Sequence, residues 1–289
     1  MKKYNNQIKN KELDLLSVKS LVNLFLEEEI KNIQSLKKEK KHLIKAIEII
    51  LSKISKGGRI IYVGAGTSGR LGVLDASECK PTFSTSIFQA IIAGGKDAII
   101  NAKENADDNT KAAITDLKKL KLTRNDVLIG ISASGETPYV LSAIKFAKNL
   151  KINTIGISSN SDSTLAKITH CRITPNSGTE IILGSSRLKS GTVQKIILNM
   201  LSSISMIKSK KVYGNLMIDV DPKNNKLIKR ATGIISNICK VPLNKAKKLF
   251  VKSGNNTKAA IVMHFKSCSL KRAKELLEKS KDDLRILIG

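Results

Sequence analysis

The hydrophobic positions of this chain change period twice along its length, and each change marks a change of element. Up to about residue 55 they recur at helical spacing amid Lys and Glu: Leu13, Leu16, Val18, Leu21, Leu24 and Phe25, then Leu43, Ile44, Ala46, Ile47, Ile50, Leu51 and Ile54. The pattern predicts a helical arm over residues 1–55 that needs a body to pack on. Short apolar runs then begin at Ile60, Ile87, Val127, Ile152 and Cys171, alternating with helical stretches. Runs that are apolar on both faces and joined through helices predict a parallel sheet with right-handed crossovers. The expected fold is α/β, a three-layer αβα domain with a five-stranded parallel sheet over residues 56–220. Residues 188–207 carry Val193, Ile196, Ile197, Met200, Leu201 and Ile204, which predicts a long amphipathic helix with an apolar face for the sheet or for a second subunit. The tail returns to a helical pattern at residues 227–238, 243–251, 258–265 and 270–277, with breaks at 253–256 and 267–269. A small three-helix bundle over residues 221–289 is expected there.

Two of the predicted strands end in turns suited to an anion. After Ile60, Ile61, Tyr62 and Val63, the glycines Gly64, Gly66 and Gly69 allow a sharp turn, while Thr67 and Ser68 place hydroxyls beside the free amides of a helix start. The same three glycines satisfy the dinucleotide fingerprint, which also wants an acidic residue about 20 residues on, at the end of the second strand. Here that strand ends in Gly94-Gly95, which favours a small phosphate over a dinucleotide. The run 127–131 is followed by Ser132-Ala133-Ser134-Gly135-Glu136-Thr137 and then by Pro138, which suits the first turn of a helix. Serines and threonines cap helices in any protein. Their recurrence after two strands of one open parallel sheet points to a shared ligand site at the carboxyl ends of the strands.

The Ser-x-Ser-Gly-x-Thr turn at residues 132–137 resembles that of sugar isomerase domains, which bind phosphosugars. Longer words, at residues 64–83, 92–95 with 104–108, 184–202 and 211–220, resemble the N-acetylmuramic acid 6-phosphate etherase family, in order from about Leu13 to the C-terminus. The resemblance implies a lyase that removes the D-lactyl ether of N-acetylmuramic acid 6-phosphate by elimination followed by water addition, leaving N-acetylglucosamine 6-phosphate. It implies two active-site carboxylates: Glu78, in Asp75-Ala76-Ser77-Glu78-Cys79 where the helix is expected to end, as acid, and Glu104 as base at C2. The phosphate is expected at Thr67, Ser68, Ser132, Ser134 and Thr137, with Glu180, Ser185, Ser186 and Lys189 as further contacts to the sugar or its lactyl group. In the family the C-terminal region resembles a ubiquitin-associated bundle. Two other classes share the domain: a catalytically silent phosphosugar sensor such as glucokinase regulatory protein, and an aldose–ketose isomerase. Release of lactate separates the etherase from both.

Three departures from the family pattern are visible. Glu136 stands where Arg is usual, Lys80 replaces the first of two prolines, and the arm lacks the usual Thr-Glu-x-x-Asn-Pro opening.

Composition changes this picture little. With 289 residues, 41% hydrophobic and only 3% aromatic, the core must rest on Ile, Leu, Val and Ala. The net charge of +27 is mostly lysine spread along helices, without the arginine clusters or aromatic interleaving of a nucleic-acid surface, and reads as solvated helix faces. Cys79, Cys171, Cys239 and Cys268 show no paired spacing, and His42, His170 and His264 stand apart, so neither a disulfide framework nor a metal site is expected. No apolar run approaches the roughly 18 residues of a membrane span, and no signal-peptide core opens the chain. The expectation is a cytoplasmic protein that takes a small phosphosugar, needs no cofactor, and pairs as a homodimer.

Overall fold

The computed structural model describes residues 12–289 of the chain, so the part of the expected arm at residues 1–11 lies outside the described residues. The helical arm is present as α1 (Val18–Ser35), capped by the Ser17 hydroxyl, and α2 (Lys40–Ile54). It is followed by β1 (Ile60–Gly64), α3 (Gly66–Phe83), β2 (Phe88–Ile92), α4 (Thr110–Lys119), β3 (Val127–Ile131), α5 (Pro138–Asn149), β4 (Asn153–Ile157), α6 (Thr164–Ile168), β5 (Cys171–Ile173) and α7 (Lys189–Lys208). The strands form one sheet in the order β2-β1-β3-β4-β5, parallel throughout, with Gly64 facing Ile92 and Ile131 in register at the carboxyl ends. The expected three-layer αβα fold is thus found.

Two compact units divide the chain: residues 1–76 with 87–202, and residues 77–86 with 203–289. In the first, alternate strand positions feed opposite layers. Ile61, Val63 and Leu128 pack with Leu117 of α4 and with Tyr139, Val140 and Ile144 of α5, and no water reaches these side chains. On the other face, Tyr62 donates from its hydroxyl to Asp75 of α3 (2.9 Å), and Asn199 and Ser202 of α7 donate to the other oxygen of that carboxylate (2.7 and 3.1 Å). A buried carboxylate with three donors is satisfied, and it ties sheet, α3 and α7 together. The apolar face of α7 is accordingly consumed within the chain, with Val193, Ile197, Leu198 and Leu201 fully buried.

The second unit carries α8 (Asn225–Cys239), α9 (Leu243–Lys252), α10 (Thr257–Phe265), α11 (Leu270–Lys279) and a short α12 (Leu284–Ile288), five helices where three were expected. Asn224, Asn256, Ser269 and Asp283 cap four of them from the breaks that the sequence marks with Asn, Ser and Asp. At its centre Ala259, Ala260, Ile261 and Val262 of α10 are buried on all sides, packed with Ile235, Ala246, Phe250 and Ala273. The end of α3 belongs here. The helix does not stop at Glu78: it runs on through Lys80 and Pro81 to Phe83 and ends where Ser84 turns left-handed at φ +49°. Pro81 withholds one amide hydrogen bond from the final turn, and the helix breaks off shortly after it. Its carbonyl accepts from Asp221 N, and the Ser84 hydroxyl donates to Asp219 O (2.5 Å), so this segment is stitched to the word at residues 211–220.

No helix among the described residues is long and apolar enough to cross a membrane, and no group of three or more His, Cys, Asp or Glu among them is placed to hold a metal ion.

Candidate active site

The cavity of the first unit opens at the carboxyl ends of the strands, at the point where the strand order reverses between β1 and β3. Its volume is ≈ 1340 Å³, and its walls come from the turns after β1, β3 and β4, the loop after β2, the start of α7 and, unexpectedly, α1.

The first turn is built by contact between glycines. A methyl group on Gly69 would lie 2.8 Å from Gly64 O and 2.6 Å from Ile92 Cγ1, and one on Gly64 would lie 2.7 Å from Gly69 N. Only bare backbones approach this closely, and the approach sets the first turn of α3 directly over the end of β1. Gly66 adopts φ +50°, and Ala65, Gly66, Thr67 and Ser68 all line the cavity. The buried Ser68 donates its hydroxyl to Gln194 Oε1 of α7 (2.9 Å), so what this residue offers an anion is its amide at a helix N-terminus.

The second turn is latched from within. The Ser132 Oγ accepts from Gly135 N (3.0 Å) and bonds the Thr137 hydroxyl (2.8 Å), while Ser134 Oγ accepts from Glu136 N (3.1 Å). Gly135 turns with φ +73°, and a side chain there would meet Ser163 Cβ at 2.4 Å. The exposed Ser134 and the half-buried Thr137 and Thr67 line the cavity; Ser132 is buried beside them and shapes the turn.

Glu136 does not stand free beside this turn. Its Oε1 accepts from Thr164 N (2.7 Å) and so helps cap α6 alongside Ser163. It still lines the cavity as a negative charge in the family's arginine position. Glu136→Gln keeps the acceptor for Thr164 and removes the charge, so KM for an anionic phosphosugar is expected to fall by about 2- to 5-fold at low ionic strength, less at physiological salt. A KM that rises or stays fixed at low salt would show that this charge is not felt at the site.

Glu104 is exposed on the loop after β2 and lines the same cavity. Gly94, at φ +86°, leaves room for that loop to fold back: a methyl there would lie 3.1 to 3.3 Å from Ala98, Lys103 and Ala106. Tyr139 N of α5 donates to Asp107 O (2.8 Å), and Lys103 pairs with Asp97 (3.0 Å) and lowers the pKa of its carboxyl.

Of the remaining predicted contacts, Glu180, Ser186 and Lys189 line the cavity, and Glu180 and Lys189 also bond within the frame. Glu180 accepts from Lys189 N (2.8 Å) and Ser190 N (2.9 Å), capping α7 with a carboxylate at its N-terminus. Lys189, only 3% exposed, donates from Nζ to Glu28 of α1 (2.7 Å) and to Thr179 O (3.1 Å). Burial alone would push the Glu28 carboxyl up, but Lys189 and Lys31 outweigh it and hold it below the ordinary value. Ser186 lines the cavity; Ser185 does not. Glu78 is exposed in the second unit and is not among the residues lining the cavity, its carbonyl accepting from the Thr82 hydroxyl (2.8 Å).

Several lining residues escaped the sequence reading. Glu28, Lys31 and Asn32 come from the arm, where Asn32 Nδ2 donates to Lys189 O (2.7 Å). Ser159, beyond β4, bonds Ser190 (3.1 Å) and Ser177 (3.4 Å) in a third hydroxyl cluster. The run Ser158-Ser159-Asn160 was a readable signal, since it follows a third strand as Thr67-Ser68 and Ser132-Ala133-Ser134 follow the first two.

Sheet order, glycine-built turn and hydroxyl-rich cavity define a sugar isomerase domain. Residues 107–204 match the SIS domain model and residues 42–148 the model of the glucokinase regulatory protein N-terminal SIS domain. Among solved structures, the chain resembles a phosphoheptose isomerase from Francisella tularensis (TM-score 0.55, 19% identity, 66% of this chain and 100% of that one) and a phosphoheptose isomerase from Neisseria gonorrhoeae (TM-score 0.52, 18% identity, 65% and 98%). N-Acetylmuramic acid 6-phosphate etherase of Edwardsiella ictaluri is 45% identical over 275 residues, 94% of this chain and 92% of that protein. The etherase of Clostridium beijerinckii is 44% identical over 271 residues, 93% and 89%. The chain belongs to the N-acetylmuramic acid 6-phosphate etherase family.

Proposed function

We propose that this chain is a carbon–oxygen lyase that converts N-acetylmuramic acid 6-phosphate into N-acetylglucosamine 6-phosphate and D-lactate. The observation that carries the reading is end-to-end identity above 40% with etherases, where the glucokinase regulatory protein match is confined to residues 42–148. The ether is inert in the closed ring. In the open form the C1 aldehyde acidifies the C2 proton; a base removes it, the electron pair expels lactate from C3, and water then adds to C3 of the unsaturated aldehyde while C2 regains a proton.

We assign the base to Glu104, supported by its place among the residues lining the cavity that the turns after β1 and β3 also line. The phosphate is placed on the amides of residues 66–68 and the hydroxyls of Thr67, Ser134 and Thr137, with Ser132 and Ser68 as their supports. Glu78 is assigned as acid to the leaving oxygen from its match to the family motif. Glu180 and Lys189 act in this reading by fixing the start of α7 and the arm against the cavity. Incubation of the purified protein with N-acetylmuramic acid 6-phosphate, followed by enzymatic assay of D-lactate, tests the activity. Lactate in equal amount to N-acetylglucosamine 6-phosphate is expected, and conversion without lactate would replace the etherase by an isomerase.

The same reading includes a cytoplasmic homodimer, but with α1 rather than α7 as its contact. Val18, Val22, Leu26, Ile30 and Ile33 are all exposed at intervals of three or four along α1, and form an apolar stripe on that helix. Leu26→Glu with Ile30→Glu is expected to convert a dimer into a monomer by light scattering. A wild-type monomer, or a dimer indifferent to both changes, would remove α1 from that role.

A further inference from the structure

We infer that Arg70 is a positioning residue for the base, resting on the assignment of that role to Glu104. The loop that carries Glu104 spans residues 93–109 and has no regular structure beyond a turn of 3-10 helix at Lys96–Ile99. Such a loop cannot place a carboxylate to within a fraction of an ångström by itself. Arg70 reaches it from α3: Nε donates to Ile99 O and Nη2 to Asn101 O, both at 2.9 Å. Two donors of one planar fork on two carbonyls fix direction as well as distance, which a lysine cannot reproduce.

The position of Arg70 gives the clamp its meaning. It follows Thr67, Ser68 and Gly69 in the first turns of a helix whose start is locked to β1 by bare backbone contact. One rigid helix start therefore presents the proposed phosphate amides and, through Arg70, grips the Glu104 loop, so the spacing between phosphate and base is set by α3. Arg70 also lines the cavity, yet its guanidinium donates to neutral carbonyls of the loop, so its work is done on the loop.

The test is a comparison of wild type, Arg70→Lys and Arg70→Gln in steady-state kinetics and in amide hydrogen exchange. Displacing a reacting group by about 1 Å costs on the order of 10²-fold in rate, so kcat is expected to fall by tens- to hundred-fold in both variants, with KM within about 3-fold. Exchange of C2 hydrogen with heavy water should fall in step with lactate release. Amides of residues 96–106 should lose protection by about tenfold or more in both variants while those of β1 and β3 keep theirs. The inference is overturned by a tenfold rise in KM at constant kcat, which would make Arg70 a substrate contact, or by unchanged loop protection. A wild type that releases no lactate would defeat the proposed function, and the exchange data, which need no substrate, would still decide whether Arg70 holds the loop.

Discussion

Glu104→Gln is expected to abolish exchange of the C2 proton of N-acetylmuramic acid 6-phosphate with heavy water and, with it, lactate release. The amide is isosteric with the carboxylate but has no lone pair basic enough to take a proton from carbon, and a positioned general base contributes about 10²- to 10⁴-fold. Substrate affinity should hardly change, because the turns proposed to hold the phosphate are built from residues 64–69 and 132–137 and owe nothing to Glu104. Glu78→Gln should behave differently, with C2 exchange persisting while lactate release falls, since an amide cannot donate a proton to the departing oxygen. Proton NMR in heavy water reads both events in one sample. Exchange that persists in Glu104→Gln and vanishes in Glu78→Gln would reverse the two roles, and full activity in both would remove the pair from the mechanism.

Gly69→Ala is the substitution expected to damage fold and site together. Its methyl would sit 2.6 to 2.9 Å from Ile92 Cγ1 and from the carbonyl of Gly64, and two of those three neighbours are backbone atoms that cannot rotate away. Overpacking of this kind costs about 1–3 kcal/mol. At the site, α3 must lift from β1 and carry the phosphate amides and Arg70 with it, so kcat/KM should fall by about 10²-fold or more. Thermal unfolding and kcat/KM on the same preparation check both parts. A variant within a degree of wild type and within twofold in kcat/KM would show that the glycine contact is not needed.

The strands and the glycine- and serine-rich turns that follow β1 and β3 were legible because they are local. A run such as Ile60 to Val63 followed by glycines fixes strand and turn within ten residues, and all five expected strands lie in one parallel sheet. The breaks at residues 253–256 and 267–269 were equally readable, and their last residues, Asn256 and Ser269, prove to cap the helices that follow. What the sequence hid were pairings across long separations. Lys189 reads as a cationic contact for an anionic substrate and does line the cavity, but its ammonium is paired with Glu28, 161 positions away. Glu180 reads as a polar contact and lines the cavity, while its carboxylate accepts from the first amides of α7. The apolar face of α7 could serve the core or a partner, and only burial decides for the core, leaving the stripe on α1 as the exposed one. Glu136 illustrates the same limit, since its bond to Thr164 depends on how α6 meets the turn.

The central claim is elimination across C2 and C3 with water returning to C3, and running the reaction in ¹⁸O-labelled heavy water tests it most directly. The ether oxygen leaves with lactate, so the account predicts lactate free of ¹⁸O, and N-acetylglucosamine 6-phosphate carrying one ¹⁸O at C3 and deuterium at C2. Label in the lactate hydroxyl, or a product with hydrogen retained at C2, would contradict it.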